Sequence, residues 1–140
     1  MEKLRTPLRW LFAFFLAGVG VQHFTDPQIF IDIMPPYLQA WDLELVYISG
    51  VFEILGGIGL LVPQTRKIAG VGIILLLLAV FPANIHMAIN DVPFQGERLP
   101  PMVRWGRLPF QLVFIAIAWW TSRPAPIPEG SSEKASEVEE

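Results

Sequence analysis

The 140-residue chain contains no cysteine. Disulfides, a CxxC redox pair, covalently attached c-type haem and cysteine-ligated clusters are therefore excluded within it. Charge is also scarce: 16% of residues are Asp, Glu, Lys or Arg, against about 25% in an average soluble domain. Six of the 23 charged residues fall in the last 12 positions, so the rest of the chain is poorer still. No basic patch is present to hold nucleic acid. Only two histidines occur, His23 and His86, and two such distant imidazoles do not make a metal site. The net charge of −3 is set by the acidic tail and says little about partners.

What the chain does have is long apolar runs. Four stretches, 7–24, 43–62, 68–89 and 107–122, fit the ~17–25 residues that a helix needs to cross a bilayer core. The third is the clearest, because IAGVGIILLLLAVF carries no polar group. The first follows Lys3, Arg5 and Arg9 and imitates a signal peptide, but Gly18-Val19-Gly20 is a poor cleavage site, so an uncleaved span is expected. All five tryptophans, Trp10, Trp41, Trp105, Trp119 and Trp120, fall at predicted span ends, where indoles settle at headgroup level. The expected fold is all-α: a four-helix transmembrane bundle over 1–123, with 124–140 a disordered acidic tail too poor in apolar groups to order.

If four helices alternate, seven Lys and Arg residues lie on one side, while Arg98, Arg104 and Arg107 lie on the other. The positive-inside rule then puts both termini in the cytoplasm. The short turn Gln64-Thr65-Arg66-Lys67 makes the second and third spans antiparallel neighbours. The first outer loop, Thr25–Asp42, is less hydrophilic than a plain loop. Thr25 or Asp26 can cap a short helix with Pro27 in its first turn. Ile29, Phe30, Ile33 and Met34 would share one face of it, and Pro35-Pro36 would end it. This segment reads as an interfacial helix over the bundle mouth; the alternative is an irregular loop. The second outer loop, Asn90–Gly106, reads as irregular.

Small residues mark helix contacts in lipid, and Ala13, Ala17, Ser49, Gly56, Gly57, Ala79 and Ala83 recur at helical spacing. Ser49, Glu53 and Gly57 follow at i, i+4 and i+8, so Glu53 points into the bundle. A charged, unpaired carboxylate near a bilayer centre costs roughly 2.5 kcal/mol or more. Following the alternating helix directions brings His23, Asn84, His86, Arg107 and Gln111 to the same outer half as Glu53. At 1.5 Å per residue, Asn84 and Gln111 sit roughly 6–8 Å below the outer boundary and Glu53 roughly 12–15 Å. Pro82 frees the Leu78 carbonyl. The expected result is a polar pocket with Glu53 at its floor, whose ligand-binding candidates are Glu53, Ser49, Asn84, His86, Gln111, Arg107 and His23. The competing reading makes Glu53 interhelical glue, bonded to Gln111, Asn84 or Arg107. It also makes the histidines ordinary interfacial groups, and Arg107 a snorkelling anchor.

The segments HFTDPQIFIDIMPPYL, SGVFEILGGIGLLVPQTRKIAGVGIILLLLAVFPANIHMAIN and RLPFQLVFIAIAWW resemble those of DoxX-like membrane proteins. The resemblance covers nearly all of the chain except the tail. It implies a four-helix bundle in a prokaryotic cytoplasmic membrane and an association with redox or stress functions. No catalytic set comes with it. Three functions follow as expectations. The first is a quinone- or lipid-binding accessory subunit of a membrane redox system, not an enzyme on its own, with any electron carrier supplied by a partner subunit. The second is a proton-coupled transporter of small lipophilic compounds. The third is a membrane scaffold without a ligand.

Overall fold

The computed structural model describes residues 2–123; the tail expected to be disordered lies outside them. Five α-helices and one 3-10 helix follow in order: α1 (Glu2–Thr25), α2 (Gln28–Ile31), the 3-10 helix (Pro36–Trp41), α3 (Asp42–Leu61), α4 (Arg66–Asn90) and α5 (Pro101–Ser122). No strand occurs among the described residues, so the chain is all-α. Three segments are long and apolar enough to cross a membrane: Lys3–Thr25, Pro36–Leu61 and Arg66–Asn90. The α5 helix is as long, but Arg104, Arg107, Pro109 and Gln111 interrupt its first half. Large apolar side chains such as Phe14, Leu55, Ile58, Leu75, Leu78 and Leu112 face outwards. An apolar exterior of this extent is consistent with a membrane protein.

The helix ends follow from local chemistry. Asp42 and Glu44 place negative charge in the first turn of α3, where it meets the positive end of the helix dipole. At the other end of α3 the last carbonyls lack helical partners. Thr65 Oγ1 donates to the Gly59 carbonyl at 3.0 Å, and Arg66 Nε donates to the Leu60 carbonyl at 3.0 Å. These bonds close the short turn and lay α4 back against α3. The α5 helix begins at Pro101, six residues before the expected 107, with Pro100 as its N-cap. Proline suits the first helical position because its missing N–H would lack a partner there anyway. The Asn90–Gly106 stretch is therefore irregular only up to Pro100. Within it Gln95 (φ 55) and Gly96 (φ 80) form a tight reversal. Phe94 and Glu97 exchange two backbone hydrogen bonds across it, 2.9 and 3.1 Å long.

The Thr25–Asp42 connection also departs from expectation. Thr25 finishes α1, Pro27 precedes α2, and no side chain caps that helix. The α2 helix is a single turn, and a 3-10 helix follows Pro35 where only a stop was expected. The predicted apolar face is present: Ile29 and Ile33 are buried, with Phe30 and Met34 half-buried beside them. Both short segments pack on α3.

The four long helices pack in the cyclic order α1, α3, α4, α5, with α1 against α5 the smallest contact. We refer to the end where α1 begins, α5 finishes and the 62–65 turn lies as the terminal end, and to the opposite end as the distal end. The terminal half is solid. Phe12, Ala13, Leu16, Leu60, Ala69, Ile73 and Ala118 form one buried cluster. Below it, Arg9 Nε donates to the Thr121 carbonyl at 2.7 Å and ties α1 to the last turn of α5.

The tightest contact is the crossing of α1 and α3. A Cβ on Gly50 would lie 2.9 Å from the Gly20 carbonyl oxygen and 2.7 Å from His23 Cβ. A Cβ on Gly20 would lie 2.8 Å from the Gly50 carbonyl oxygen. One turn or two further on, a Cβ on Gly57 would lie 2.7 Å from the Ala13 carbonyl oxygen. Two backbones touch along this seam, as small-residue packing permits. Gly50→Val should therefore lower stability by about 1–3 kcal/mol through overpacking. Gly18→Ala, with nothing within 4 Å of the new carbon, should be neutral or stabilising because alanine is the better helix former. Thermal melting in detergent measures both, and a wild-type melting profile for Gly50→Val would refute the close crossing.

Candidate functional site

Above the solid cluster the four long helices enclose a cavity of about 610 Å³. A volume of this size is typical of a small-molecule site. Its walls are mostly apolar: Phe15, Leu16 and Val19 from α1, Leu45 and Val46 from α3, Leu77, Val80 and Ala83 from α4, and Phe110 and Phe114 from α5. The connection after α1 covers it with Phe30, Ile33, Met34 and Leu38. Six polar side chains also line it: His23, Ser49, Glu53, Asn84, Arg107 and Gln111. Phe15 and Phe110 belong to the wall and yet are 46% and 64% exposed. The cavity wall therefore reaches the outer surface on the α1 and α5 sides, beyond the place where Phe12 and Phe15 meet Phe114.

Two polar groups are fixed by backbone carbonyls. His23 Nδ1 lies 2.9 Å from the Val19 carbonyl oxygen, which can only accept, so this nitrogen carries the proton. The ring is buried and stacks on Phe30, with centroids 3.6 Å apart and planes inclined by 16°. On the α5 side, Gln111 Nε2 donates to the Leu77 carbonyl. That turns its Oε1 towards Asn84, whose Nδ2 donates to it at 2.8 Å. Pro82 leaves the neighbouring Leu78 carbonyl without its helical donor, as expected, but Gln111 bonds to Leu77 instead.

Glu53 sits where α3 crosses α1, one turn from Gly50 and Gly57. Its Oε2 is 3.2 Å from His23 Nδ1. This is an ion-pair distance, but the Nδ1–H points at Val19, and Oε2 is buried with no hydrogen-bond partner among the described residues. A buried acceptor in this condition is costly. The interhelical partners considered from the sequence, Gln111, Asn84 and Arg107, are not the groups beside Glu53. Asn84 and Gln111 bond to one another, and Arg107 lies with its guanidinium 4.7 Å from the Phe94 ring centre. His23 takes their place. His23 was already a candidate for the pocket; its contact with Glu53 was not foreseen, because it depends on Gly50 leaving room for the His23 side chain.

His86 lies apart from this group. It does not line the cavity, and its Nδ1 is 2.9 Å from Asn90 Nδ2 on the same helix. Of the small residues expected at helix contacts, Ala79 and Ala83 face the cavity rather than a neighbouring helix. Among the described residues no cluster of three or more His, Cys, Asp or Glu side chains could hold a metal.

An all-α chain with an apolar exterior, closed at one end and hollow at the other, defines a membrane-type helical protein with an internal pocket. Residues 12–122 match the family described as Domain of unknown function (DUF8561), and the chain belongs to that family. Neither the curated proteins nor the solved structures yield a match.

The Asn84–Gln111 bond links α4 to α5 beside the cavity and should be measurable as a coupling. In a double-mutant cycle of Asn84→Ala and Gln111→Ala, the two losses of stability should fall short of additivity by about 0.6 kcal/mol or more. Strict additivity of the melting free energies would show that the pair contributes nothing.

Proposed function

We propose that this protein is a four-helix integral membrane protein that holds a hydrophobic molecule by its polar head, as an accessory to a membrane redox system. A quinone or a lipid is the class of ligand intended. The observation that carries this reading is the cavity itself: apolar walls that reach the outer surface, and Glu53 and His23 together on its α1–α3 side. Apolar walls suit a hydrocarbon or ring, and a few convergent polar groups orient a head. An ionisable residue in such a position is a functional candidate by default. Electron transfer itself would fall to a partner subunit. The likeness to DoxX-like membrane proteins is part of the proposal and rests on the sequence segments quoted above.

The reading includes a prokaryotic cytoplasmic membrane and cytoplasmic termini, which puts the distal end outside. The count of basic residues supports this orientation, because Arg98, Arg104 and Arg107 are the minority on the distal side. Arg98 Nη1 pairs with Asp91 at 3.0 Å, Arg104 also pairs with Asp91, and Arg107 packs on Phe94.

Two experiments test the proposal. With Gln64→Cys and Gln95→Cys in this cysteine-free chain, the first should label only from the cytoplasmic side and the second from outside intact cells. The reverse pattern would overturn the orientation. For the ligand, purification from native membranes and mass spectrometry should find a hydrophobic molecule retained by the wild type. Glu53→Gln keeps size and hydrogen-bonding capacity but cannot titrate, so it should fold normally and lose any pH dependence of retention. Glu53→Leu should impair both folding and retention. Wild-type retention by the Gln variant throughout about pH 5–8, a range bracketing a buried carboxyl group, would remove Glu53 from the function.

A further inference from the structure

On the α1–α3 side of the cavity the polar groups are biased in one direction, towards accepting hydrogen bonds. Backbone carbonyls anchor the groups on both sides. On the α4–α5 side Gln111 Nε2 donates one hydrogen to Leu77 and Asn84 Nδ2 donates one to Gln111 Oε1, so Asn84 Oδ1 is left as an acceptor beside the second N–H of each amide. Because His23 Nδ1 must donate to Val19, its Nε2 is the acceptor of the neutral ring. Glu53 Oε2 is sealed against that ring. Its Oε1 receives no hydrogen bond from any described residue, although Glu53 lines the cavity.

Most donors are placed elsewhere: the second amide N–H of Asn84 and of Gln111, and the guanidinium of Arg107. The Ser49 hydroxyl lies one helical turn from Glu53 on the same stripe of α3 and can donate or accept. Arg107 lines the cavity from near the start of α5, with its guanidinium held over Phe94. A fixed cation in the wall disfavours a second cation as the occupant. A hydroxyl group meets these conditions without any charge. It donates one hydrogen bond to the acceptors on the α1–α3 side, and its oxygen can accept one from Ser49 or from an N–H of the α4–α5 side.

We infer that the cavity selects neutral lipophilic molecules whose polar end is a hydroxyl group, over molecules of the same shape whose oxygen can only accept. Of a quinone and its reduced quinol, the quinol is the form that fits. This rests on the cavity reading proposed above and adds the chemical class of the head group. A site whose buried acceptors need a donor rejects the analogue that lacks one, because those acceptors then remain desolvated and unpaired. Where the wall reaches the outer surface at Phe15 and Phe110, such a molecule enters from the lipid with its tail trailing outwards.

The test uses the full chain in phosphatidylcholine nanodiscs and two probes that differ by one methyl group, para-octylphenol and para-octylanisole. Equilibrium dialysis against empty nanodiscs corrects for partition into lipid. The phenol should bind at least about tenfold more tightly, the scale of one hydrogen bond to a charged or buried partner. Equal affinity for the two would overturn the selection for hydroxyl groups and leave the cavity reading standing. Binding of neither probe above empty discs would overturn both. Tighter binding of the cationic para-octylbenzylamine than of the phenol would also overturn the inference, since it would show a site for amines. In Glu53→Leu with wild-type melting behaviour, the preference for the phenol should shrink to within about threefold; an undiminished preference would remove Glu53 from the selection. Should that variant fail to fold, the comparison of phenol and anisole on the wild type decides alone.

Discussion

The approach of α1 to α3 at Gly20 and Gly50 is the constraint from which the site follows. Each glycine's missing Cβ is occupied by the other helix's carbonyl oxygen, at 2.8 and 2.9 Å from where that carbon would stand. Helices that touch at this distance bring the side chains on either side of the contact together. His23 lies three residues beyond Gly20 on α1, and Glu53 three residues beyond Gly50 on α3. A larger residue at either glycine would push the backbones apart and separate imidazole from carboxylate. The same seam continues to Gly57 and Ala13, which holds α1 and α3 parallel enough for the contact to persist into the solid half. Packing of this kind needs no hydrophobic driving force between helices, and so it suits an environment of lipid.

Closure at one end and opening at the other then divide the bundle into two functions. In the terminal half, Phe12, Leu16, Leu60, Ile73 and Ala118 fill the space between helices. Packing of that density leaves no polar route through the half it occupies. A carrier that moves a substrate across the bilayer needs such a route in some state, whereas a protein that holds a molecule within one leaflet does not. The arrangement supports the proposed retention of a ligand rather than its transport. The α1–α5 contact is smallest because at the distal end those helices meet the cavity instead of each other. The connection carrying Phe30, Ile33 and Met34 supplies the cover that α5 does not.

Much of this was legible in the sequence. The apolar runs located four long helices, and the Ser49–Glu53–Gly57 stripe predicted that Glu53 points inwards, as it does. Depth arithmetic placed Asn84 and Gln111 at one level, and they bond there. Other features were not legible because they depend on three-dimensional contacts. Periodicity marks which face of α1 holds Gly20, but not that Gly50 opposes it, so His23 was placed in the pocket's half but not against Glu53. A Pro-Pro pair signals the end of one helix without saying that a 3-10 helix begins at the second proline. Arg5 and Arg9 were read only as topology charges, yet both are buried at the terminal end, with Arg9 bonded across to α5. Asp91, paired with two of the distal arginines, had no sequence signal beyond its place after Asn90.

Backbone carbonyls decide the chemistry of the cavity more than the side chains do. Asparagine, glutamine and neutral histidine can each donate or accept, so their presence alone says nothing about which ligand they prefer. Once Leu77 and Val19 each claim a donor, much of the choice is made: Asn84 Oδ1 and His23 Nε2 are left as acceptors, and each amide nitrogen keeps a single N–H. Helical carbonyls cannot be altered by substitution at their own positions short of breaking the helix. The polarity of the cavity is therefore a property of the fold, fixed by where α5 places Gln111 and where α1 places His23. A substitution that changed the preference would have to act on the intermediaries, Gln111 or His23, because these two transmit the carbonyls' demand to the site.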